Sequence, residues 1–171
     1  MRNFLLGVVV TIVVLVAGGF LYLRLGFAEV AADLPPAAWE KSLMSAAVHA
    51  SVRRRAPEIA NPIPPTDENL IAGGKSYLGG CAGCHGTPGK PEAPGDELYP
   101  PIPQLPSAGT EYTEAQIFWV AKHGIRRTGM FANGKFYSDQ DLWMMTAFTK
   151  RIRDLPPHVR EELAKPQSSG K

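Results

Sequence analysis

The sequence predicts an all-helical chain, and three observations carry that prediction. Phe4 to Leu23 is an apolar run without a charge, about the ~20 residues that one bilayer-crossing helix requires. Further along, apolar positions recur at helical spacing: Trp39, Leu43, Ala46, Ala47 and Ala50, then Leu70, Gly73, Gly74, Tyr77 and Cys81, then Leu142, Met145, Thr149 and Ile152. Between these stretches stand clusters of proline and glycine, which interrupt regular structure. The chain has 171 residues, room for one compact domain with appendages, and its net charge of +2 lacks the basic excess of a nucleic-acid binder.

Residues 1–25 read as a transmembrane anchor, in the membrane through 4–23. A cleavable signal peptide is the rival, since Arg2 gives a basic start and Ala28 to Ala32 offer small residues near a cleavage point. Signal cores are shorter, however, at about 7–15 residues, which favours a retained span. Residues 26–65 read as an amphipathic helix and a proline-rich linker. Pro35 and Pro36 suit a helix start, Arg53, Arg54 and Arg55 gather where cations favour a helix end, and Pro57 stops it. Two accounts of this stalk stand open: it lies on the following domain, or it docks on a partner subunit or on anionic lipid headgroups. His49, beside the stripe, is expected at the surface. From Pro57 to Pro65 the prolines predict a stiff, extended linker.

The next domain is expected over 66–155. Thr66 is the N-cap of a helix with Asp67 and Glu68 in its first turn, running to about Leu78. It leads into Cys81-Ala82-Gly83-Cys84-His85, the attachment pattern of a c-type haem. Two thiols on one helical turn can add to the two vinyl groups of one porphyrin, and the adjacent imidazole then meets the iron. A thioredoxin-like dithiol does not need that histidine, and half of a zinc site wants a second ligand pair that a chain with two cysteines does not easily supply. We therefore expect one covalent haem c, with His85 as proximal ligand. With both cysteines so engaged, the compartment follows from the haem: attachment resembles what is done outside the cytoplasmic membrane, so the amino terminus is inside and everything after Arg24 outside.

From His85 to Ser107 an irregular loop should wrap the haem edge, and a carbonyl among Pro100, Pro101 and Pro103 should receive the other imidazole nitrogen. Thr113 with Gln116 is a capping box opening a short helix that ends at Gly124. Trp119 on it either reaches a haem propionate or belongs to the core. Gly124 to Phe131 reads as a loop that exposes Met130, a soft thioether suited to the iron's other face. Met144, Met145 and His123 are the alternatives. Tyr77, Pro101, Trp119 and Arg127 are expected to complete the cofactor's surroundings. Ser138 caps the last main helix, on which Trp143, Ala147 and Phe148 flank the stripe. In the tail, 156–171, His158 to Ala164 suit a short helix and 167–171 a frayed end.

Taken together, Gly73 to Gly86 with its Cys-x-x-Cys-His run, the Thr128-Gly129-Met130 turn and the Ser138–Phe148 helix resemble a class I cytochrome c domain, over roughly Thr66 to Arg153. The resemblance implies a small all-α fold whose first and last helices cross near one haem edge, with Gly73 and Tyr77 set against Trp143. It also implies single-electron transfer. The anchor and the arginine-ended stalk depart from soluble members. They suggest an anchored cytochrome of a respiratory or photosynthetic chain, alone or within a larger complex, on the periplasmic side of the inner membrane. Its partners would be redox proteins or a host membrane complex, with neither nucleic acid nor a small-molecule substrate. Arg126 and Arg127, with Lys75, Lys90, Lys122 and Lys135, would steer an acidic partner. The alternative is a peroxidase-like haem enzyme with an open sixth position, for which only His123 with Arg126 or Arg127 could serve as distal groups.

Overall fold

The computed structural model describes residues 1–31, 33–90, 98 and 100–165, and these contain eight helices and no strand. In chain order they are α1 (Arg2–Arg24), α2 (Ala38–Arg55), α3 (Asp67–Gly80), α4 (Ala82–His85), α5 (Leu105–Ala108), α6 (Glu114–His123), α7 (Asp139–Arg151) and α8 (Pro157–Ala164). The chain divides into two compact units, Met1–Leu34 and Pro35–Lys171. The first is built on α1, with a mean hydropathy of 2.8 and no buried residue. It is long and apolar enough to cross a membrane.

The second unit is organised on the crossing of α3 and α7. Both start on side-chain caps: Thr66 Oγ1 accepts from the Asn69 N–H, and Ser138 forms a reciprocal capping box with Asp141. Acids in each first turn suit the positive end of the helix dipole. Gly73 lets the two backbones meet, because a methyl there would run into the Met144 carbonyl. Gly74 lies against Leu163 of α8 and Phe148 of α7 in the same way. Leu70, Tyr77, Leu142, Phe148, Leu155 and Val159 are almost wholly buried in this core. The expected pairing of Tyr77 with Trp143 is corrected. Tyr77 meets Phe148, ring centroids 5.3 Å apart, while Trp143 stacks flat on Phe118 of α6 at 4.0 Å. One step of about 100° round α7 separates Trp143 from the α3-facing positions and turns it towards α6.

The stretch before α3 is joined to this core. Asn61 Nδ2 donates to Glu114 Oε2 at 2.7 Å and to the Trp143 carbonyl at 3.1 Å, so hydrogen bonds cross the boundary expected at 65/66. α2 packs on α6 through Val52, which is 1% exposed, and His49 Nδ1 lies 2.9 Å from the Tyr112 hydroxyl. Of the two accounts left open for α2, its packing on the following domain is made by another side, and the stripe is uncovered among the described residues: Trp39 is 70% and Leu43 56% exposed, and Ala46, Ala47 and Ala50 are exposed with them. The reason is that Val48 and Val52 form a second apolar side, roughly half a turn round the helix from that stripe. At the other end α8 buries Val159 in the core, so the segment after 155 also packs with α3. The frayed end expected over 167–171, and the loop positions 91–97 and 99, lie outside the described residues.

Candidate haem site

α3 runs into the motif without a break. Cys81 closes it, and α4 is one further turn in which the Cys84 and His85 N–H groups both donate to the Cys81 carbonyl, at 3.1 and 2.9 Å. Both thiols and the imidazole are thereby held on one turn. Cys84 is exposed; Cys81 is half-buried, its Sγ 3.5 Å from Met145 Sδ. Burial, with the neighbouring Cys84, pushes the Cys81 thiol up to about 11. A reactive dithiol needs the opposite shift. Among the described residues no group of three or more His, Cys, Asp or Glu side chains could hold a metal ion.

His85 is oriented from both sides. Its Nδ1 lies 3.0 Å from the Pro103 carbonyl; a carbonyl can only accept, so Nδ1 carries the proton and Nε2 keeps its lone pair for a metal. Pro103 thus supplies the carbonyl sought among three prolines, and Pro101, named for the site from sequence, is exposed two residues earlier. Tyr77, deeply buried, donates its hydroxyl to the Gly86 carbonyl at 2.9 Å, with the His85 carbonyl at 3.3 Å. Burial raises that phenol well above its ordinary range, so it remains a donor. Gln104 Nε2 donates to the Cys84 carbonyl at 3.1 Å. Gly86, at φ +88°, packs against Gln104 and Pro106 where a side chain would not fit.

The loop carrying Met130 is braced as closely. The Ile125 N–H donates to the Met130 carbonyl at 2.9 Å; Thr128 Oγ1 donates to the Ile125 carbonyl at 2.8 Å and accepts from the Met130 N–H at 3.0 Å. Arg127 takes up the turn at φ +64°, a left-handed conformation that disfavours a residue with a Cβ. Gly124, at φ +66°, sits under the Met130 carbonyl with no space for a methyl. Asn133, 5% exposed, ties the return of the loop to α6, its Nδ2 donating to the Ala121 and Phe131 carbonyls. Thr128 is read from sequence only as part of the Thr128-Gly129-Met130 turn, and Asn133 is not singled out. The Asn133-Gly134 dipeptide was the available turn signal, but nothing local shows that its amide reaches twelve residues back.

Leu98 and Pro103 each meet one of the two braced elements. Leu98 Cδ1 lies 3.4 Å from where a Gly129 side chain would begin, and five residues later Pro103 holds His85, a span of at most about 18 Å. Leu98, Phe131 and Phe136 around the Met130 loop are 44%, 60% and 71% exposed, with the two phenylalanine rings 6.2 Å apart edge to face. Two thiols, an imidazole with a free Nε2, and an uncovered apolar rim fit a covalently held macrocycle. Of the other expected neighbours, Trp119 is half-buried with its ring 5.1 Å from that of His123, and Arg127 is exposed. Met145 is buried against Cys81. Lys122, expected to steer a partner, is engaged by Asp139 at 2.7 Å and lies over the Phe118 ring.

Residues 68–148 match the family model described as cytochrome C oxidase, cbb3-type, subunit III. No curated protein and no solved structure gives a match. The matched segment runs from the first turn of α3 to Phe148 on α7 and contains Cys81, Cys84, His85 and Met130. With its helical fold, strandless among the described residues, and its attachment turn, the segment is a c-type cytochrome domain, an electron-carrying module of the kind that binds haem c covalently.

Proposed function

We propose that this chain is a membrane-anchored monohaem carrier of single electrons in a respiratory chain, with His85 and Met130 as the axial ligands of its iron. In this reading α1 anchors it in the cytoplasmic membrane, amino terminus inside, and the unit from Pro35 works on the periplasmic side. Support for a host oxidase complex comes from the matched family, whose description is that of an oxidase subunit. The observation that carries the ligand assignment is the bracing of Met130 by Thr128 and Ile125, on a loop that Leu98 meets as Pro103 meets His85.

Bound haem c supplies a one-electron change between ferric and ferrous iron. Cys81 and Cys84 hold it by thioether bonds. The Pro103 carbonyl fixes the imidazole ring and, by drawing on the Nδ1 proton, strengthens Nε2 as a donor. With His85 and Met130 as its ligands, the bound iron would favour the reduced state at a raised potential. Tyr77 keeps the turn that presents His85 from rotating, since its hydroxyl is bonded to the Gly86 backbone. Arg126 and Arg127 are exposed on the Met130 loop beside the apolar rim, where they would orient an acidic partner on approach.

Met130→Ala tests the ligand assignment. It should abolish the far-red sulfur-to-iron absorption band, lower the midpoint potential and admit carbon monoxide, while Met144→Ala leaves all three unchanged. Retention of the band in Met130→Ala would overturn the assignment.

A further inference from the structure

We propose that α2 is a membrane-surface helix: the stripe Trp39, Leu43, Ala46, Ala47 and Ala50 lies in the headgroup boundary of a bilayer containing anionic phospholipid, while Val52 holds the cytochrome unit on the opposite side. The proposal rests on α1 as an anchor. α2 is apolar on two sides, and among the described residues only one of them is covered. Val52 is 1% exposed and His49 meets Tyr112 at 2.9 Å, whereas Trp39 and Leu43 keep 70% and 56% of their surface in water.

Three features select lipid as the occupant. The first is charge: α2 carries Lys41, Arg53, Arg54 and Arg55 against the single carboxylate Glu40, and all three arginines are exposed. Arg53 and Arg54 flank the stripe at its end, one on either side by helical spacing, where they would meet phosphate groups. Trp39 stands at the other end, and a tryptophan ring, apolar with one polar edge, prefers the boundary between water and hydrocarbon.

The second is size. A stripe of two large and three small side chains spans about 17 Å along a helix about 10 Å wide, a face of roughly 170 Å², well below the ~800 Å² per partner of a stable protein pair. The third is the tether. Only residues 25–37 separate the end of α1 from α2, a reach of at most about 45 Å. Such a link keeps the stripe at a high effective concentration near the bilayer, so weak intrinsic affinity suffices. The consequence is a cytochrome unit held at a set height and orientation above the membrane, with its carrier surface confined to one plane.

The test uses the full-length holoprotein in nanodiscs of phosphatidylcholine with phosphatidylglycerol. A benzophenone-bearing residue replaces, one at a time, Trp39, Leu43, Val13 in α1, and Ile59, which is 57% exposed but off the stripe. Irradiation should give lipid adducts at 39, 43 and 13 and none at 59. Arg53→Gln with Arg54→Gln should cut the yield at 39 several-fold, with little change at 13. Lipid adducts at 13 without any at 39 overturn the proposal and leave the anchor standing. Adducts at 39 to protein alone, whether a second copy or another subunit, overturn it in favour of a protein interface. No lipid adduct at 13 or 39 overturns the anchor and the proposal together.

Discussion

Gly73→Ala and Gly79→Ala place the same methyl group on the same helix and should move stability in opposite directions. At Gly73 the added carbon would overlap the Met144 carbonyl and crowd the Met145 N–H. Neither is a side chain that can rotate away, so α3 and α7 must separate at the centre of the core. Overpacking of this kind costs about 1–3 kcal/mol. The upper half of that range is expected here because backbone meets backbone, offset by a helix-propensity gain of at most ~1 kcal/mol. A net loss of about 2 kcal/mol corresponds to a melting temperature lower by roughly 6–10 °C for a unit of this size. At Gly79 nothing lies within 4 Å of the added carbon. Only the propensity gain of about 0.5–1 kcal/mol remains, a rise of roughly 2–4 °C. Thermal and urea unfolding of the haem-loaded protein, followed by far-ultraviolet circular dichroism and the Soret band, reads both. Equal midpoints for wild type and Gly73→Ala would refute the close crossing of α3 and α7.

Three further outcomes follow from the site. Tyr77→Phe removes the donor to the buried Gly86 carbonyl and should cost about 1–3 kcal/mol, with a broadened Soret band as the His85 turn loosens; urea titration checks the first and absorption spectroscopy the second. Thr128→Val should weaken the far-red band and lower the temperature at which it disappears, whereas Thr128→Ser, which restores both hydrogen bonds of the hydroxyl, should recover it. A chain beginning at Pro35, exported behind a cleavable signal, should fold and load haem with the full-length spectrum. One beginning at Thr66 forfeits Val52 and both Asn61 bonds and should unfold at a urea midpoint lower by about 1 M or more, the shift expected for about 2–3 kcal/mol.

The parts legible in the sequence are those whose cause is local. Thr66, Thr113 and Ser138 cap helices because a side-chain oxygen reaches an amide three residues on, a relation contained within four letters. The Cys-x-x-Cys-His turn is legible for the same reason: its chemistry needs two thiols and an imidazole on one turn, and the spacing states it. Gly73 could be read as a close approach but not matched to its partner atom, since whether Met144 or Trp143 lies opposite depends on how α7 is rotated about its axis. That rotation is set jointly by α3 and α6, the helices that pack on α7. The Pro103 carbonyl illustrates the same limit: three prolines in four residues offer the same group, and only the path of the loop decides among them.

α2 shows the limit most clearly, because its periodicity is legible in the sequence while the surface that each of its sides meets is not. Trp39, Leu43 and the three alanines form the longer apolar stripe, and a helix of a soluble protein buries its longest stripe. Val48 and Val52 make a shorter one, yet Val52 is the residue that the cytochrome unit covers. Choosing the short stripe leaves Trp39 and Leu43 in water, a cost that a soluble protein would avoid by turning the helix through half a revolution. The arrangement is economical only if another apolar phase takes the long stripe. If α1, a 23-residue apolar helix, anchors the chain as proposed, such a phase stands at the end of a thirteen-residue link. On that proposal the orientation of α2 and the apolarity of α1 are two responses to one solvent, which sequence periodicity alone does not name.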